Sequence, residues 1–260
     1  MNPEDLLEAL IAMQIRDTTL TPEQLHEAWR SFQFAGLQHL TDEQFYEILV
    51  RTVFYSGFRA ATVMARLAIL REQFPSPTVV AGYGPEHVAA ILADPRMIRN
   101  RRKVICCVQI AQKMVATIQQ HGSFHAYLAS FQVDQSFGGL LRLHEDLCVR
   151  MKGIGKATAF HFMMDVGLPV LKPDSVVCRV FTRLGIIPSE DHQMAAVLAG
   201  RGHAVDMGEP IRFFDSLLVA FGQESFPEFG IEQGICLTNP RCEVCTLHEH
   251  CHYYAEHHPA

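Results

Sequence analysis

Four cysteines, Cys236, Cys242, Cys245 and Cys251, stand within sixteen residues in the spacing C-x5-C-x2-C-x5-C. The chain opens MNPEDLLEAL, with acid rather than a basic and then apolar leader, so a cytoplasmic protein is expected. Four thiols that close in such a protein point to a metal centre rather than to disulfides. Tetrahedral zinc and a four-iron, four-sulfur cluster both accept four thiolates, and the spacing alone does not choose between them. Cys106, Cys107, Cys148 and Cys178 sit in apolar helical stretches and are expected as packed thiols.

A second chemistry-bearing segment is Met151-Lys152-Gly153-Ile154-Gly155-Lys156-Ala157-Thr158-Ala159. Two glycines around one apolar residue make a tight turn, because glycine tolerates positive φ while Ile154 packs inward. The helix that follows begins with unpaired N–H groups, and with Lys152 and Lys156 beside them they could hold one phosphate. Such a grip fixes position and carries no base sequence information. Nineteen residues after Gly155 comes Asp174, in Leu171-Lys172-Pro173-Asp174-Ser175-Val176-Val177. It reads either as the N-cap of a new helix or as a carboxylate held at a fixed point beside a substrate. A third feature is the run Arg96, Arg99, Arg101, Arg102 and Lys103, five cations in eight residues with no acid. It is either a solvated face or a phosphate contact.

Helices must position these groups. Apolar residues recur at helical spacing after Asn2-Pro3, after Thr21-Pro22-Glu23 and after Thr41-Asp42-Glu43. Further helices are predicted over about 59–73 and 84–93, then a long one from Ile98 to Gln120. Two more, Leu140 to Val149 and Lys156 to Val166, flank the glycine turn. No run of strict alternation bounded by hairpin turns occurs, so the fold is mainly α. With 260 residues, 48% of them hydrophobic, the chain can bury a core without staples, and disorder or low complexity is excluded. No apolar stretch reaches the ~18 residues of a membrane span.

The net charge of −6 hides an uneven distribution. Residues 1–50 hold nine acids and two bases, 51–223 thirteen acids and nineteen bases, and 224–260 six acids and one base. A basic middle between acidic ends remains compatible with DNA, since phosphate binding follows the local field.

The turn x-x-G-I-G-x-x-T-A, a helix, an apolar loop and a Pro-Asp leading into Val-Val-x-Arg-Val together resemble the helix-hairpin-helix, Gly/Pro-Asp superfamily of base-excision DNA glycosylases. Residues 45–130, with Met97-Ile98-Arg99-Asn100-Arg101-Arg102-Lys103-Val104, are similar to its 3-methyladenine DNA glycosylase I branch. The resemblance implies a two-lobed helical fold with a DNA cleft between the lobes and a C-terminal metal-cluster loop. Its expected parts are N-terminal helices at 1–40 that could pack with the C-terminal lobe, a helical lobe at 41–168 with the hairpin at about 140–167, and a lobe at 169–260. The last would carry the catalytic Asp174 and the cysteine loop at 236–251, where endonuclease III-like members hold a four-iron, four-sulfur cluster.

Under this resemblance Lys152, Gly153, Ile154, Gly155, Lys156 and Thr158, with Arg99 and Arg101, are expected to contact double-stranded DNA. A monomer suffices. The wedge and base pocket are expected among Thr52, Phe54, Tyr55, Phe58 and Arg59, because such an enzyme must extrude its nucleotide from the duplex. The lysine that forms a Schiff base in bifunctional members would fall at Ala157, and Lys156 lies about 100° around the helix from it. The expected activity is therefore that of a monofunctional glycosylase that leaves an abasic site, with an alkylated purine favoured as the base. A mispaired, deaminated or hypermodified base, or a non-catalytic metal-containing DNA-binding protein, are the alternatives.

Overall fold

A computed structural model describes residues 2–257. The chain divides into two compact units, one formed by residues 1–35 and 169–260, the other by residues 36–168. Among the described residues there is no strand, only isolated bridges that pair Thr18 and Phe226 with Ile231. No helix among them is long and apolar enough to cross a membrane.

The first unit begins with α1 (Pro3–Asp17) and α2 (Pro22–Arg30). The Asn2 side chain accepts from Glu4 N, and Pro3 at the first helical position has no N–H to leave unpaired. At Thr21 a reciprocal capping box with Gln24 starts α2. The buried faces, Leu6, Leu10 and Met13 on α1 and Leu25 and Trp29 on α2, join the core of the later part of the chain.

The second unit holds α3 (Asp42–Tyr55), α4 (Ala60–Met64), α5 (Leu67–Gln73), α6 (Pro77–Val80), α7 (Pro85–Ala93), α8 (Arg101–His121), α9 (Phe124–Ala129), α10 (Phe137–Arg150) and α11 (Lys156–Asp165). The 21-residue α8 is its axis, packed by α3, α6, α7 and α9. It starts three residues later than its apolar pattern, because the Asn100 side chain accepts from Lys103 N and fixes the cap there. The single helix expected over 59–73 is two, broken where Arg66 leaves helical geometry at φ −124°, ψ 8°. Residues 36–40 belong to this unit, tied by Gln38 N donating to Val166 O at 3.0 Å.

The chain then returns to the first unit with α12 (Ser175–Arg183), α13 (Gln193–Met207), α14 (Ile211–Gly222) and α15 (His252–His257). Helix α14 is buried along nearly its whole length and is packed by α1, α12 and α13. A helix buried on nearly all sides, as this one is despite Asp215 and Ser216, lies at the centre of its domain. The N-terminal segment is fastened to the end of the chain by Thr19 N to Gly230 O at 3.0 Å and by Arg16 to Val244 O at 2.9 Å.

Candidate functional site

In the second unit, α10 and α11 form an antiparallel hairpin around the glycine turn. Met151 and Ile154 are buried while Lys152, Gly153, Gly155 and Lys156 are exposed, so the turn is anchored through its apolar residues and offers its backbone outward. Gly153 has φ +85°, and a Cβ there would stand 2.6 Å from Cys106 Sγ on α8. The residue must be glycine on both counts. Gly155 differs: its φ is −93°, nothing lies within 4 Å of the Cβ position, and it caps α11 without a side-chain acceptor. The first N–H groups of a ten-residue helix therefore emerge between two lysines, and Thr158 lies half-buried one turn in.

A residue the sequence did not single out locks the two helices. The His144 ring stacks on Phe160 at 4.0 Å, and its Nε2 lies 2.9 Å from Lys156 O. The partners are twelve and sixteen positions away, so the bare sequence holds no signal for the contact.

The basic run is divided by the fold. Arg96 is bound to Asp94 and to Glu72, its shortest contact 2.7 Å. The Lys103 ammonium donates to Val53 O and Ser56 O at the end of α3, with the Phe58 ring 5.5 Å away. There a cation meets the negative pole of the helix. Burial pushes the Lys103 ammonium below the ordinary lysine range. Arg99, Arg101 and Arg102 stay exposed at the start of α8. Gly153 rests on Cys106 of that helix, so these arginines and the hairpin adjoin α8 within one unit.

Two of the expected pocket residues are buried in the core of the unit. Phe54 is fully buried and packs against Phe74, and Thr52 is fully buried with its hydroxyl donating to Ile48 O. Both serve the core of the unit, because their positions on α3 face inward. Tyr55 and Phe58 are half-buried and Arg59 is exposed. The Tyr55 ring lies 5.8 Å from His161 on α11, and His161 and Arg51 flank the buried Asp165 carboxylate at 3.5 and 3.6 Å. This polar group, contributed by α3 and α11, was not singled out from the sequence.

In the first unit, Asp174 is the N-cap of α12, its Oδ1 accepting from Val176 N and Val177 N at 3.0 Å each. Its Oδ2 lies 2.9 Å from Lys172 Nζ. The side chain remains 30% exposed, so capping and contact with an outside group are compatible in one carboxylate. The loop before it is held by Arg201 donating to Pro169 O at 3.2 Å. Leu171 packs against Gly200 of α13, where a Cβ would come within 2.7 Å.

The cysteine loop is fastened to the same helix. Arg183 donates to Cys236 Sγ at 3.4 Å, to Leu237 O at 2.6 Å and to Thr238 O at 3.0 Å, and it covers the Tyr253 ring at 4.3 Å. Arg179, one turn earlier, donates to Cys236 O at 3.2 Å and to Gly222 O. Burial pushes the Cys245 thiol up to about 11, and charge on Cys236, Cys251 and Cys242 pushes it the same way. Among the described residues no three Cys, His, Asp or Glu side chains converge on a single-ion position. Cys106, Cys107 and Cys178 are buried and Cys148 is half-buried.

A family model described as methyladenine glycosylase matches residues 33–146. Among solved structures, endonuclease III trapped as a covalent intermediate with DNA is similar over 92% of this chain and 99% of its own, at 19% identity and TM-score 0.58. The 8-oxoguanine DNA glycosylase of Thermotoga maritima is similar over 84% of this chain and 96% of its own, at 18% identity and TM-score 0.54. The 3-methyladenine DNA glycosylase I of Staphylococcus aureus matches 58% of this chain and 87% of its own, at 20% identity and TM-score 0.48. Over most of its length, then, the chain shares the all-helical fold of endonuclease III and of the Thermotoga maritima 8-oxoguanine DNA glycosylase.

Proposed function

We propose that this protein is a monofunctional DNA glycosylase that acts as a cytoplasmic monomer on duplex DNA. It releases a damaged or modified base and leaves an abasic site. The observation that carries this reading is Asp174: a half-exposed carboxylate fixed by two backbone N–H groups at a helix N-terminus, in a chain with the glycosylase fold.

Cleavage of an N-glycosidic bond builds positive charge on the deoxyribose. A carboxylate held near C1′ stabilises that charge and orients or deprotonates the attacking water. Asp174 is suited to this because its geometry is set before substrate arrives, by Val176 and Val177. The water oxygen bonds to C1′, the C1′–N bond breaks with its electron pair leaving on the base, and the water proton passes to the carboxylate. The exposed amides after Gly155, with Lys152, Lys156 and Thr158, hold a backbone phosphate, and Arg99 and Arg101 extend the contact. Thr52, Phe54, Tyr55, Phe58 and Arg59 are the candidates for the wedge and base pocket, with Tyr55, Phe58 and Arg59 the more exposed of the five. The match of residues 33–146 to the methyladenine glycosylase model supports an alkylated purine as the base, a cationic group that leaves readily.

Hydrolysis rather than lyase chemistry is supported by Ala157, which stands where bifunctional members place their attacking lysine. The position of the cysteine loop after the glycine turn and Asp174, similar to that in endonuclease III-like members, supports a four-iron, four-sulfur cluster over zinc. Cys236, Cys242, Cys245 and Cys251 would bind one iron each, so the sulfurs need to surround a common volume rather than converge on one ion. Arg183 offsets the negative charge of such an all-thiolate centre by donating to Cys236 Sγ. When bound, the cluster supplies a covalent clasp for this loop.

The experiment is base release from alkylated, deaminated, oxidised and hypermodified duplexes by wild type and Asp174→Asn. Release by wild type and its loss in the variant are expected. Release that survives the substitution, or binding without release by either protein, would instead favour a non-catalytic DNA-binding protein. Borohydride should trap no covalent DNA adduct with wild type, and iron and sulfide should copurify with the protein.

A further inference from the structure

Both oxygens of Asp174 are engaged in the protein as it stands. Oδ1 receives Val176 N and Val177 N, and withdrawing it would uncap α12. Oδ2 is covered by the Lys172 ammonium at 2.9 Å. A carboxylate that must face a developing sugar cation needs an oxygen turned outward, and an ammonium in contact with that oxygen opposes the cation. The two restraints differ in stiffness. The backbone amides are part of a helix, whereas the ammonium ends a flexible four-carbon stem two residues upstream.

We propose that Lys172 is a substrate-gated positioning residue: it holds Asp174 Oδ2 while DNA is absent and transfers its ammonium to a backbone phosphate of the extruded nucleotide, uncovering the carboxylate. This rests on the reading of Asp174 as the catalytic group. Every deoxyribose inside a strand carries a phosphate on each side, so a sugar brought to Asp174 brings an anion to Lys172. The ammonium exchanges one anion for another, no charge is left unpaired, and Oδ2 becomes available only when a sugar is present. Pro173, between the two residues, limits the backbone and leaves the exchange to side-chain torsions.

The test is a double-substitution cycle read by binding to duplex DNA with a tetrahydrofuran abasic analogue, titrated with salt. Lys172→Met should weaken binding about fivefold to tenfold and lower the slope of log affinity against log salt by about 0.9, as for one lost phosphate contact. Lys172→Arg should keep the slope. Asp174→Asn preserves the cap and removes the carboxylate charge beside the ammonium, so it should tighten binding severalfold in the wild-type background and not in the Lys172→Met background. A Lys172→Met protein with the wild-type salt slope, or an equal gain from Asp174→Asn in both backgrounds, would overturn the exchange. A purely structural ion pair would change thermal unfolding and leave the salt slope alone. If Asp174→Asn leaves base release intact, the catalytic reading fails, and the binding cycle still decides whether Lys172 meets phosphate.

Discussion

The two units use their cations in opposite ways. In the unit of residues 36–168, Lys152 and Lys156 at the exposed glycine turn and Arg99, Arg101 and Arg102 at the start of α8 stand in solvent. In the other unit four arginines turn inward: Arg179 and Arg183 onto the cysteine loop, Arg201 onto the Pro169 carbonyl, and Arg212 against the rings of Phe32 and Phe34, while Arg16 and Arg30 stay exposed. Under the proposed function, one unit would present charge to DNA, and the other uses charge to hold its own loops near Asp174. Residue type does not decide which use prevails, since Arg96 and Lys103 sit in the same short run as Arg101 yet are tied to their own unit.

Asp174→Asn should break the inward-facing unit's contribution most sharply. Single-turnover base release is expected to fall by at least about a hundredfold, while the helix keeps its cap and unfolding shifts little. An unchanged melting temperature with lost release would separate chemistry from folding.

Arg183→Met should come next. It removes three carbonyl or thiol contacts and the face of Tyr253, and leaves the part-buried acceptors Cys236 Sγ and Leu237 O without this donor. A stability loss of about 2–3 kcal/mol is expected, readable as an earlier denaturant midpoint. A substitution at Lys152 should leave that midpoint in place.

The two hairpin glycines sharpen the contrast between grip and scaffold. Gly153→Ala meets both a positive φ and Cys106 Sγ, so it should destabilise the protein by about 1–2 kcal/mol. Gly155→Ala has room and an ordinary φ, so it should leave stability within about 0.5 kcal/mol and act on DNA affinity by crowding the exposed amides. If both variants lose stability equally, Gly155 is a scaffold residue and the backbone grip is wrong.

The smallest effects separate neighbours within the basic run. Lys103→Met should cost about 1 kcal/mol through the lost cap of α3 and leave the salt dependence of DNA binding unaltered. Arg101→Met should leave stability alone and reduce the salt slope by about one. The reverse pattern would mean that exposure in the free protein does not report the phosphate contacts.

Much of the local structure is legible in the chain. Proline and capping residues at Pro3, Thr21 and Thr41 start α1, α2 and α3 where they stand, because a cap is a contact between residues two or three apart. The glycine turn and the Asp174 cap are readable for the same reason. The break at Arg66 was not, since the apolar pattern runs through it without interruption. Helical spacing marks a face of α3 and does not say which neighbour covers it, so the packing of Phe54 on Phe74 is set by the fold.

The sequence by itself determined the all-helical class, the hairpin, the acid at a helix start and the four clustered thiols, all through contacts that span a few residues. Only the tertiary structure decided that α1 and α2 share a core with the C-terminal helices. It alone committed Lys103 and Arg96 to structure, bound Arg179 and Arg183 to the cysteine loop and set Lys172 against Asp174. The first three depend on partners about twenty to two hundred positions away, where chain spacing carries no geometric information. The last depends on a flexible side chain, whose direction is set by the charges it meets once the fold has formed.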